Sequence, residues 1–312
     1  MPRIPRLLVK REDAVYHIIS RTALEGFVLG DEEKEFLLSL IKWLSAVYFT
    51  EVFGFCIMGN HFHLLVKMKT SEHFSDEEVL KRIKLYYQDS KRVITKGQIP
   101  SFRAKFANLS EYVKDIKQRF SRYYNKKYGR LGYFWGDRFK SVLIEEGAAL
   151  LNCLAYIDLN PVRAALVERP EDYRWCSLGY HVQNGNLDGF LSTDFGLKEF
   201  GVLSAEKRLR RYRKYVYEKG GIEVEGKGAI KPKFLEQERR RGYKISPWER
   251  FRYRTRYFTD AGILGSKEFV KKWYEAFRKY FRSKDKRPQL VPGLAEIYSL
   301  KRLLEIRNSP MR

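Results

Sequence analysis

Residues 58–68 read MGNHFHLLVKM, a Gly-Asn pair followed by two histidines one residue apart inside an apolar run. Gly59-Asn60 is a tight-turn dipeptide, so EVFGFCIM (51–58) and HFHLLVKM (61–68) read as two strands joined by a hairpin turn. Successive side chains of a strand point to opposite faces. Phe62, Leu64, Val66 and Met68 share the obvious core face. His61 and His63 project together from the other, roughly 6–7 Å apart along the strand. That spacing lets two imidazoles converge on one divalent ion. It equally suits two half-exposed polar residues after a turn.

Working outward, AVYHIISR (14–21) reads as a first strand, and DEEKEFLLSLIKWLSAVY (31–48) as an amphipathic helix with acids at its positive end. Residues 76–95 look helical and basic. Ser110 can cap a helix over 111–127 that stops at Gly129. RFKSVLIE (138–145) suggests a fourth strand, and 147–160 a further helix. This order predicts an α+β fold with helices on one face of an antiparallel sheet. Residues 186–204 are expected to be a linker between a domain over 1–185 and a basic, mostly helical region over 205–312, with helical pieces such as 267–282 and 290–306.

Charge is distributed unevenly. The net charge is +23, and residues 201–312 hold 31 Lys/Arg against 13 Asp/Glu, which accounts for +18 of it. Such asymmetry points to a polyanion, most often nucleic acid. No apolar run reaches the roughly 18 residues of a membrane span, and the charged start MPRIPRLLVKRED lacks the apolar stretch of a signal peptide. Cys56, Cys153 and Cys176 show no CxxC spacing and read as reduced thiols of a cytosolic, nucleoid-associated protein.

LLNCLAYIDLNPVRAALV (150–167) supplies a second set of polar groups. On a helix, Asn152, Tyr156 and Asn160 align at four-residue intervals. Pro161 disfavours helical geometry at Asn160 and places the Tyr156–Asn160 pair near the helix end, where a plain terminator is the competing reading. Two imidazoles and an amide oxygen can hold a divalent ion, and a tyrosine beside it can attack phosphorus.

Four stretches then carry a family resemblance: YHIISR (16–21), GNHFHLLV (59–66), GYFWGDRFKSVLIE (132–145) and YIDLNPVRAALVERPEDYRW (156–175). Together they resemble the HUH endonuclease superfamily, and within it the REP-associated branch of the single-tyrosine transposases. The resemblance covers roughly 10–185. It implies a ferredoxin-like catalytic domain that nicks single-stranded DNA, with Tyr156 as nucleophile, His61 and His63 as the metal-binding pair and Asn160 as third ligand to Mg²⁺ or Mn²⁺. Relatives often dimerise, so a homodimer is possible.

Between these motifs, residues 114–140 hold nine Lys/Arg against two acids, interleaved with eight aromatic rings. Cations for phosphates and rings for bases suit single-stranded or hairpin DNA. Arg122, Lys126, Lys127, Arg130 and Arg138 are the phosphate candidates, Trp135 a stacking candidate, and Arg163 of the YxxxNPVRA stretch joins them. Tyr123 and Tyr124 are weaker candidate nucleophiles, lacking a ligand four residues on. Three functions remain open: a strand-transferring nuclease, a catalytically retired transposase that binds DNA, and a replication or mobilisation initiator.

Overall fold

The computed structural model describes residues 8–9, 11–194, 203–245, 263–276, 278, 285–290 and 298–300. Strand β1 (Ala14–Arg21) leads into α1 (Asp31–Val47), the hairpin β2 (Thr50–Ile57) and β3 (His61–Met68), helices α2 (Asp76–Tyr87), α3 (Ile99–Phe106) and α4 (Leu109–Lys127), then β4 (Lys140–Ile144) and α5 (Ala148–Arg163). All strand pairs are antiparallel and run in the order β2-β3-β1-β4. This is the expected α+β, ferredoxin-like sheet, with β3 inserted between the β1-α1-β2 crossover strands.

Helices α1 and α4 lie on the Phe62 face, as expected. Phe62 meets Trp135 at 5.4 Å, Trp135 packs on Phe120 of α4, and Phe120 packs on Phe36 of α1. Helix α5 crosses the opposite face, so the sheet is covered on both sides. The reason is at Gly54, the cross-strand partner of Leu65. A Cβ there would stand 2.1 Å from Leu154 Cδ1, so only glycine lets α5 lie this close.

Three local features differ from expectation. Asn108, not Ser110, caps α4: its side-chain oxygen accepts from the Ser110 and Glu111 amides at 2.8 and 3.3 Å. Helix α2 stops at Tyr87, with Gln88 in the left-handed region. Most consequentially, α5 does not end near Asn160 but runs through Pro161 to Arg163. Pro161 has no N–H for the carbonyl of Ile157 four residues back. The Asn160 amide nitrogen donates there instead, at 3.3 Å, and to Tyr156 O at 2.8 Å. The flanking Leu159, Pro161 and Val162 are buried.

Beyond the sheet come α6 (Ser177–Asn184), α7 (Ala205–Gly220) and α8 (Pro232–Arg240). The start of the expected linker runs along β2, where the Ser192 amide donates to Val52 O at 2.7 Å. Tyr212, Val216 and Tyr217 of α7 are buried in the same core as the sheet. Residues 205–245 thus pack as part of one body. Arg213 of α7 is fully buried between Glu171 and Glu238, at 2.7 and 3.1 Å. Burial alone would raise the Glu171 carboxyl pKa; Arg213 and Arg169 overcome this and hold it below the usual carboxylate range.

A smaller core of Val270, Tyr274 and Leu300 joins β5 (Leu264–Gly265), α9 (Lys267–Ala276), β6 (Gln289–Leu290) and β7 (Tyr298–Ser299). The helix expected over 267–282 is described only to residue 276. That expected over 290–306 lies almost wholly outside the described residues. No described helix is long and apolar enough to cross a membrane.

Candidate active site

The hairpin turn sets the two histidines in register. Met58 N donates to His61 O at 2.8 Å, and β3 begins at once. Both imidazoles face α5, and their ring centroids are 5.1 Å apart. Tyr156 stands over them, its ring 5.7 Å from that of His63, edge to face. Asn160 lies one turn further along α5. His61, His63, Tyr156 and Asn160 therefore line one cleft of about 550 Å³, with Arg21, Arg138 and Lys140 on its rim. Tyr156 is 54 % exposed, a hydroxyl-bearing ring at an open mouth rather than a packed core ring.

Each candidate ligand has its second polar atom already engaged. His61 Nδ1 is 2.8 Å from Asn60 Oδ1, so it carries the hydrogen and leaves Nε2 as the donor atom. His63 Nδ1 is 3.0 Å from Nε2 of a third imidazole, His17 of β1. The Asn160 amide nitrogen donates to the Tyr156 and Ile157 carbonyls, so of its two polar atoms only the oxygen could serve as a ligand. Burial lowers the pKa of His61 to about 4, with Arg21 adding to the effect. Burial, then the neighbouring His17 and His61, lowers that of His63 to about 3. Both rings are neutral at pH 7, the form that binds a metal. Among the described residues no three His, Cys, Asp or Glu side chains form a metal-holding group. Two imidazoles and one amide are the donor set that the HxH pair and α5 could offer an ion, with further positions left for water or a phosphate; the Asp137 carboxylate lines the same cleft.

Helix α5 is fastened from behind. Asp158 is fully buried and accepts from Ser177 Oγ at 2.7 Å, from Leu178 N at 2.8 Å and from the Tyr212 hydroxyl of α7. Burial pushes its carboxyl pKa up to about 6.

The expected DNA contacts divide. Arg122, Lys126, Arg130 and Arg138 are exposed. Trp135 is not a stacking platform: it is 5 % exposed, and its indole donates to Lys117 O inside the core. Lys127 is held by Glu32 and Glu33 at 2.8 and 2.5 Å. The Arg163 guanidinium donates to the carbonyls of Lys219, Ile222 and Gly228, so it ties α5 to the turn after α7. Tyr124 is buried, and Tyr123 stacks on Phe36 at 3.7 Å, away from the histidines.

Sequence reasoning passed over His17, Arg21 and Lys140. The alternation of YHIISR does put His17 and Arg21 on one strand face. What brings them to the cleft is register: Arg21 opposite His61, Lys140 opposite Ile19. Residues 10–97 match the family model described as "Transposase IS200 like". The match spans His17, His61 and His63 and stops short of Tyr156. No curated protein matches the chain. Among solved structures, a REP-associated tyrosine transposase bound to a REP hairpin is similar at 14 % identity and a TM-score of 0.41, over 62 % of this chain and 89 % of that one.

Proposed function

We propose, from the likeness to IS200-like transposases over residues 10–97 and from the cleft beside them, that this chain is a metal-dependent, single-tyrosine DNA nuclease and strand transferase. One observation carries the reading: Tyr156, Asn160 and the His61–His63 pair, from distant parts of the sequence, meet in one open, cation-rimmed cleft.

In this reading a phosphodiester of single-stranded DNA, next to a hairpin, enters the cleft. Arg21, Arg138 and Lys140 hold its flanking phosphates by charge. The Tyr156 oxygen bonds to phosphorus as the bond to the 3′ oxygen breaks, and that oxygen leaves as a hydroxyl. The phenolic proton passes to water at the exposed side of the ring, and water supplies the proton that the leaving 3′ oxygen takes up. A phosphotyrosine results, which a 3′-hydroxyl from another strand can attack to rejoin DNA without ATP. His61, His63 and Asn160 would hold Mg²⁺ or Mn²⁺, whose chemistry is to polarise the phosphoryl group and offset its developing charge.

The test is a denaturing gel of 3′-labelled hairpin-bearing oligonucleotides pooled with protein and Mn²⁺, read on both DNA and protein for a covalent adduct. The adduct is expected with the natural chain and absent from Tyr156→Phe and from chelated samples. Persistence in Tyr156→Phe would move the nucleophile elsewhere. Tight DNA binding with no adduct from any oligonucleotide would reduce the protein to a DNA-binding role.

Beside the cleft, Gly129 and Gly132 take positive φ and turn a loop that leaves Leu131 96 % and Tyr133 91 % exposed. The loop is pinned by Asn125 Nδ2 to Gly132 O at 2.9 Å and by the buried Phe134. Tyr133 replaces Trp135 as the ring offered to an unpaired base. Stacking contributes about 1–3 kcal/mol per base. Tyr133→Ala should therefore weaken hairpin-DNA binding by about tenfold in fluorescence anisotropy, and an unchanged Kd would remove this loop from the interface.

A further inference from the structure

We infer that His17 is a positioning residue for the metal site: its Nε2 holds the tilt of His63 and, with a cation bound, accepts the Nδ1 hydrogen, which leaves Nε2 of His63 free to ligate. This rests on the metal reading proposed above and adds a residue to it. His17 lies on β1, opposite Leu65, and its side chain is 6 % exposed. Its Nε2 is 3.0 Å from His63 Nδ1, and the two rings lie nearly parallel, 17° apart with centroids 5.2 Å apart. Its ring also stands edge-on to Tyr156, centroids 6.0 Å apart.

A hydrogen bond between two neutral imidazoles needs one N–H and one lone pair. There are two ways to place the hydrogen. If His17 Nε2 carries it, His63 Nδ1 accepts, and His63 Nε2 bears a hydrogen and cannot ligate. If His63 Nδ1 carries it, His17 Nε2 accepts, and His63 Nε2 presents its lone pair to the cleft. A bound cation selects the second arrangement. The ring nitrogen facing away from a metal typically donates to such a partner, and loss of the partner weakens metal affinity roughly 10–100-fold. Asn60 performs the same service for His61, and the backbone carbonyls of Tyr156 and Ile157 for Asn160. His17 completes the set: each of the three donors is aimed by a partner that does not touch the ion.

The test is Mn²⁺ binding by electron paramagnetic resonance, without DNA, on the full-length natural chain, His17→Phe and His17→Asn, with thermal unfolding alongside. The natural chain is expected to bind one Mn²⁺. His17→Phe should bind at least tenfold more weakly at an unchanged Tm, and His17→Asn, whose amide oxygen can accept the bond, should recover most of the affinity. Equal affinity in the natural chain and a folded His17→Phe overturns the inference while leaving the metal reading standing. No Mn²⁺ binding by the natural chain overturns the metal reading itself. Should His17→Phe fail to fold, long-range ¹H–¹⁵N spectra of the natural chain with bound Zn²⁺ decide the matter. A hydrogen on His63 Nδ1 with His17 as acceptor supports the role, and a His17 Nε2–H ends it.

Discussion

Replacing Arg213 with methionine is expected to destabilise the protein by about 3–5 kcal/mol, the usual result of removing one partner from a buried ion pair. Arg213, Glu171 and Glu238 are all at most 1 % exposed. The guanidinium also donates to Tyr243 O at 2.8 Å, and Tyr217 donates to Glu171. Without this cation, two carboxylates stay in the core beside each other, with only the more distant Arg169 and, 4.0 Å from Glu238, Arg241 to offset them. The same place joins α7 and α8 to the turn that follows α5, so the tyrosine helix loosens with it. Chemical denaturation of Arg213→Met against the natural chain gives the number. The triple variant that also carries Glu171→Leu and Glu238→Leu should regain much of the loss, because an apolar replacement of a whole buried cluster is often neutral. A loss below about 1 kcal/mol in the single variant would contradict the buried arrangement.

Acid should unfold this protein earlier than its carboxylates alone would dictate. Burial lowers the pKa of His17, His61 and His181 to about 4, and that of His63 to about 3. In the unfolded chain these imidazoles take up protons near pH 6.5. Between roughly pH 6.5 and 4 the unfolded state therefore binds protons that the native state refuses, and stability falls as pH falls through that window. Above it their contribution to stability is complete. Each pH unit costs about 1.4 kcal/mol per group, so four such groups together remove several kcal/mol. Melting curves in chelator from pH 7.5 to 4.5 should show Tm dropping steeply below about 6.5. A Tm that is flat down to pH 5 would mean the rings are protonated in the fold.

The sheet was legible in the sequence because its strands alternate and its hairpin carries a Gly-Asn turn. Both histidines, the tyrosine and the asparagine could be placed on shared faces from the periods of strand and helix alone. What escaped was set by pairing across the chain. His17 reaches His63 only because β1 lies beside β3, a register that neither strand states by itself. Trp135 sits in a basic-aromatic stretch that looks like a nucleic-acid surface, yet its ring is needed between α4 and the sheet. Arg163 looked like a phosphate contact because carbonyl partners 56 to 65 residues away leave no local trace. The linker expected from Gly, Asn and Ser content begins by packing on β2, since turn-forming composition does not forbid docking. The short α3 was missed because eight residues opening at Ile99-Pro100 give little helical period to read.

Asn160 has two duties that rest on different ends of one small amide. Its nitrogen repairs the gap that Pro161 opens in α5, and on the reading proposed above its oxygen would serve the ion. The two residues therefore form a single heritable unit. A longer amide at 160 would carry its nitrogen beyond the orphaned Ile157 carbonyl, and so would suit a helix without the proline. An aspartate would keep the oxygen and lose the repair. A change at either position is therefore expected to weaken α5 unless the other changes with it.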